Sequence, residues 1–178
     1  MQRTILSFLF LAGVGLALLA GSLVTAGGWV FYPLGAIGLF FCLALVLHIL
    51  DLKKKPGAVK GDKLLPILAT GVIGAAATWA LRMALGLDAC VASGLVGIVA
   101  ALVLPGNLAA VAYAASFAGM SSQAVLTGLP MVLCAGILAG GIYFLVLPVY
   151  EGVGGKLGTI AAGSVLAATL IFRFFGGM

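Results

Sequence analysis

Six apolar runs of roughly membrane-spanning length, parted by short turns, leave this chain almost no stretch that could fold in water. They cover approximately residues 4–25, 29–50, 64–85, 87–105, 124–148 and 157–175, and a shorter segment, 107–122, lies between the fourth and the fifth. A hydrocarbon core of about 30 Å takes roughly 20 helical residues at about 1.5 Å each. With 64% apolar and 7% charged residues and a mean hydropathy of +1.34, the 178 residues lack the polar surface of a soluble domain. The apolar blocks are unbroken, whereas a transmembrane barrel would alternate over strands of about ten residues, so helices must satisfy the backbone in lipid. The expected fold is an all-α integral membrane protein, one polytopic bundle over residues 1–178.

The opening stretch, MQRTILSFLFLAGVGLALLAGSLVTAGG, has the ingredients of a secretory signal, with Arg3 before the apolar run and VTAGG after it. Its run outlasts the usual apolar region of about 7 to 15 residues, and it is read as the first span.

Orientation follows from DLKKKPGAVKGDK, residues 51–63, where five lysines stand against two aspartates. Lysine and arginine collect on the inner side, which makes 51–63 a cytoplasmic loop; two preceding spans then put the N-terminus and Arg3 inside as well. The chain is expected in the plasma (inner) membrane. Trp29, Tyr32 and Pro33 suit an outer interface between spans 1 and 2. Arg82 and Asp88 fall at the outer end of spans 3 and 4, close enough in sequence to pair across the Gly86 turn.

Residues 107–122 either cross, giving seven spans, or re-enter, giving six plus a re-entrant segment; the choice moves the last third of the chain to opposite sides. Charge is indifferent, with seven basic residues inside and two outside under both schemes. Length favours re-entry, since Asn107 to Met120 makes only about 21 Å of helix. A repeat favours crossing: CVASGLVGIVAALVLPGN, from Cys90, and CAGILAGGIYFLVLPVYEG, from Cys134, each run from cysteine through a small-residue helix to LVLP and a glycine turn, followed by a helix rich in alanine, glycine and serine. That pattern implies parallel two-helix repeats in the C-terminal half, and seven spans is the expectation.

Lipid tails are as apolar as leucine, so spans associate by close backbone packing, which calls for small residues. Gly13, Ala17 and Gly21, Ser93 and Gly97, Ala115 and Gly119, Gly136 and Gly140, and Gly154, Gly158 and Ala162 are the expected seams. Cys42, Cys90 and Cys134 have no CxxC partner and no nearby histidine, and are read as small buried packing residues rather than metal or redox groups.

Four acids and one histidine leave no catalytic constellation, so no enzyme activity, cofactor or metal is expected. His48, one turn from Asp51, reads as an interfacial side chain, with a pH sensor as the sharper alternative. The lysine loop is a topology anchor able to meet anionic lipid, and nothing beside its charge suggests nucleic acid. The polar groups left to line a pathway are Arg82, Asp88, Asn107, Ser116, Gly119, Ser121 and Ser122. The expected function is a transporter or channel subunit for a small neutral solute or ion; the alternative is an accessory or scaffold subunit with no pathway of its own. Both imply the lipid bilayer as solvent and either a homo-oligomer or a partner membrane protein. A transporter should direct Asn107, Ser116 and Arg82 into one cavity, whereas a scaffold should leave them in separate contacts.

Overall fold

The computed structural model describes residues 2–25, 63–147 and 155–175, together with isolated positions between 28 and 43. All secondary structure in these stretches is helical: α1 (Gln2–Thr25), α2 (Leu64–Leu85), α3 (Ala89–Val103), α4 (Gly106–Gly119), α5 (Leu129–Val146) and α6 (Lys156–Phe175). Segments Phe8–Thr25, Leu64–Leu85, Leu129–Val146 and Lys156–Phe175 are long and apolar enough to cross a bilayer, while Ala89–Val103 is a shorter apolar helix. Their outward faces carry large apolar side chains, among them Leu65, Ile73, Ile98, Leu102 and Phe174, a surface that suits lipid and would aggregate in water. Most of the second expected span, 29–50, lies outside the described residues. So do residues 51–62, His48, Glu151 and Gly154.

Helix order follows from contacts between small residues. A Cβ placed on Gly71 would stand 2.5 Å from the Gly136 carbonyl oxygen, and one on Gly140 would stand 2.8 Å from the Ile67 carbonyl oxygen. Later residues of α5 thus meet earlier residues of α2, and the two helices are antiparallel, backbone against backbone. On the neighbouring side of α2, Gly74 abuts the Ala112 carbonyl and Gly119 abuts the Ala75 carbonyl, so α4 runs in the same sense as α2. Ser93 meets Ser116 and Gly97 meets the Tyr113 ring, which makes α3 antiparallel to α4. The bundle therefore has a Lys63 end, where α2 begins and α3 ends, and an Arg82 end. At the Lys63 end, Lys156 Nζ donates to the Leu147 carbonyl at 3.3 Å and lies 5.9 Å from the Tyr143 ring centroid, seating the start of α6 against the end of α5.

The hub is α4. Half of its 14 residues are buried, and they are small: Ala112, Ala114, Ala115, Ser116, Ala118 and Gly119, with Val111. It packs against α2, α3, α5 and α6. A helix surrounded by helices needs no polar face, and its short length is tolerable because its C-terminal end is covered by protein rather than lipid.

Turn chemistry sets the ends. Gly86 closes α2 with φ +63°, a left-handed conformation that glycine adopts without a Cβ penalty. Asp88 then caps α3, its Oδ1 accepting from the Cys90 amide at 2.8 Å. The sixth expected span, 124–148, starts later than its apolar run. Residues 120–128 form a turn in which the Val125 and Leu126 amides donate to the Ser122 carbonyl at 2.9 and 3.0 Å, and α5 begins at Leu129 with Pro130 in its first turn. Leu126, 1% exposed, plugs the bundle from this turn. An apolar residue there is a core contact rather than a helical one, which is why hydropathy placed it in the span.

The seams differ from expectation in two helices. Gly13, Ala17 and Gly21 face away from their described neighbours, and Gly158 has open space around it. In α6 the buried face is Ile160, Ala161, Gly163, Ser164 and Ala168, with Gly163 lying against the Phe10 ring and Val14 of α1. Helical spacing finds a stripe of small residues without saying which stripe meets a neighbour. The cysteines are free: Cys42 and Cys90 are exposed and Cys134 is half-buried, so only the last approaches the expected packing role. Cys90 sits at the start of α3, which among the described helices packs only against α2 and α4.

Candidate functional site

Arg82 is the polar centre of the Arg82 end, and Asp88 is not its partner. From the last turn of α2 its Nη1 donates to the carbonyl oxygens of Met120 and Ser121, both at 2.8 Å, and of Gly119 at 3.3 Å. The last carbonyls of a helix have no intrahelical donors and carry the negative end of its dipole. A guanidinium supplies the missing donors and the opposite charge at once. Asp88, whose side chain caps α3, is committed to an amide instead. Each charge of the expected ion pair thus satisfies a helix end, a geometry that spacing across a turn cannot reveal. Beside Arg82, Gln123 Nε2 donates to the Met83 sulfur at 2.8 Å and straps the same turn to α2.

Ser116 lies elsewhere, wholly buried at the α3–α4 interface. Its hydroxyl donates to the Tyr113 carbonyl at 2.7 Å, which leaves its oxygen to accept from Ser93 Oγ, also at 2.7 Å. In this pair every hydroxyl proton is used, so it glues two helices and leaves nothing for a solute. Asn107 is exposed in the first turn of α4, at the opposite end from Arg82. Gly119 is a packing contact on Ala75 and Thr78. Ser121 is half-buried in the turn and contributes its carbonyl to Arg82, and Ser122 is exposed and contributes its carbonyl to the turn.

Sequence reasoning missed three features. The Gly71 and Gly74 seam of α2, within ATGVIGAAATWA, was legible as small residues but was passed over for seams in other helices. Thr78 Oγ1 and Trp79 Nε1 are buried without a hydrogen-bond partner, although Ser22, Thr25, Thr159, Ser164 and Thr169 all bond back to their own helix. Nothing in the spacing of Thr78 sets it apart from those. The third feature is a groove of about 660 Å³ between α2 and α3, floored by Gly74, Ala100 and Ala112. A second hollow, of about 510 Å³, runs between α3 and α4 past Gly94, Gly97 and Tyr113 to Leu157. Both are lined almost wholly by apolar side chains. Among the described residues no group of three or more His, Cys, Asp or Glu is placed to hold a metal ion.

No family model, curated protein or solved structure matches this chain.

Proposed function

We propose that the chain is an accessory or scaffold subunit of a membrane complex, a seven-span bundle of the plasma (inner) membrane with its N-terminus and loop 51–63 on the cytoplasmic side. One observation carries this reading: Arg82, Ser116 and Asn107 are engaged in three separate places, while both grooves are apolar. A solute pathway needs polar groups converging on one lumen. Crossing by 107–122 is supported by the course of α4 from the Lys63 end to the Arg82 end and by the return of α5 from there. The apolar outer ridge of α3, where Ile98 and Leu102 are 62% and 81% exposed, suits a partner helix.

The second reading, a transporter or channel subunit for a small neutral solute or ion, draws on the C-terminal carbonyls of short α4. They converge at a helix end within the bundle, where discontinuous helices of transporters hold cations. Arg82 is the resident cation there.

Flux of sodium, potassium and glycerol into proteoliposomes separates the two. The accessory reading expects equal rates in protein-bearing and empty vesicles, together with photo-crosslinks from position 98 to a second membrane polypeptide in native membranes. Flux above that of empty vesicles that changes in Ser116→Ala or Arg82→Ala would instead establish transport.

A further inference from the structure

We infer that the α2–α3 groove is a binding site for an anionic phospholipid, with one acyl chain between the helices and the headgroup phosphate at Lys63. The inference rests on bilayer embedding and not on the accessory role. At about 660 Å³ the groove lies within the range of built small-molecule sites, roughly 300–1,000 Å³. Its α3 wall runs from Leu95 to Leu104, about 13 Å of helix, and its α2 wall from Thr70 to Leu85, about 22 Å, so the groove is long enough for an acyl chain crossing the roughly 15 Å of one leaflet's hydrocarbon. The α3 wall leads toward the Lys63 end. Small residues on α2, Gly74, Ala77 and Ala80, keep the opposite wall low enough for a chain to lie in.

Two polar groups grade the groove as a phospholipid is graded. Thr70, only 8% exposed, is the single polar side chain among the described residues of the wall, and among them no hydrogen bond engages its hydroxyl. Two turns nearer the membrane surface, exposed Lys63 precedes the first residue of α2, whose free amides make the same place electropositive. Apolar wall, hydroxyl and ammonium follow in the order of acyl chain, ester oxygen and phosphate. A partner helix would match the apolar wall but has no group that calls for the hydroxyl and the charge together.

The test is native mass spectrometry of the purified full chain after exchange into detergent containing equimolar phosphatidylglycerol and phosphatidylcholine. The parent should retain one phospholipid, predominantly phosphatidylglycerol. Lys63→Gln should cut that preference about fivefold, from roughly 1 kcal/mol per basic residue at such a surface. Thr70→Val should weaken retention of both lipids alike, because both carry the ester. Ala77→Phe should abolish retention, and Ala80→Leu, on the exposed rim where folding is not at stake, should reduce it severalfold. Equal retention of the two lipids by the parent would overturn the proposal. So would retention indifferent to both groove-filling variants, or a dimer that those variants convert to monomer, which would assign the groove to a second copy. Vesicle flux and partner crosslinking do not enter these readouts, so failure of the accessory reading leaves this result interpretable.

Discussion

The two sides of α2 are made of much the same small residues and have opposite consequences. Toward α4 and α5, Gly71, Gly74 and Ala75 bring backbone onto backbone, and a single added methyl would collide with a carbonyl. Toward α3, Ala77, Ala80 and Ala84 leave a groove. In lipid no hydrophobic drive pulls helices together, so a small side chain stabilises a contact only where the facing helix is also small enough to close in. Gly136, Gly140 and Ala112 meet that condition. The α3 wall, with Leu95, Val96 and Val99, does not, and the helices stay apart there.

Arg82→Ala should produce the largest change at the closed side. Three carbonyls at the end of α4 would lose their donor, and the variant should lose about 3 kcal/mol of stability in detergent, read from thermal or denaturant unfolding. An Arg82→Ala protein as stable as the parent would mean that water already serves those carbonyls.

Gly71→Ala and Gly94→Ala place one methyl in the closed seam of α2 and one in the open hollow between α3 and α4. At Gly71 the Gly136 carbonyl is in the way and a loss of about 2 kcal/mol is expected; at Gly94 nothing lies within 4 Å and a gain of about 0.5 kcal/mol is expected from helix propensity. Equal shifts in the two melting curves would remove the distinction between a closed seam and an open face.

Ser116→Ala strands the Ser93 hydroxyl in the α3–α4 interface and should cost about 1 kcal/mol, whereas the Ser93→Ala, Ser116→Ala double variant should cost less than the two single changes added together. Additive losses would show that the hydroxyls do not act as a pair. Thr78→Val, which removes a buried oxygen without a partner while keeping its shape, should raise stability by about 1 kcal/mol or less. A loss there would reveal a bonded partner for that oxygen.

Hydropathy and turn residues alone placed most of the framework. The span at 64–85 coincides with α2, those at 87–105 and 157–175 agree with α3 and α6 within two residues, and Gly86 and Asp88 stand where a helix stop and start require them. These features depend on local properties: apolar length, a left-handed turn, an amide needing a cap. Positive charge indicated a side for the loop in the same local way.

Which helices touch, and by which face, had to come from the folded chain. Lys63 and Lys156 stand at one end of the bundle and Arg82 and Arg173 in the last turns of α2 and α6; crossing and re-entry merely exchange the sides of Lys156 and Arg173, so charge could not choose between them. The α4 contacts with Gly74, Thr78 and Arg82 trace its course. Likewise Asp88 looked like the natural mate of Arg82 until the carbonyls of α4, 37 to 39 residues further on, were brought within reach. Composition records that a residue is small, apolar or charged. Whether it becomes a seam, a groove wall or a cap depends on what arrives opposite it, and in a bundle that partner comes from a distant part of the chain.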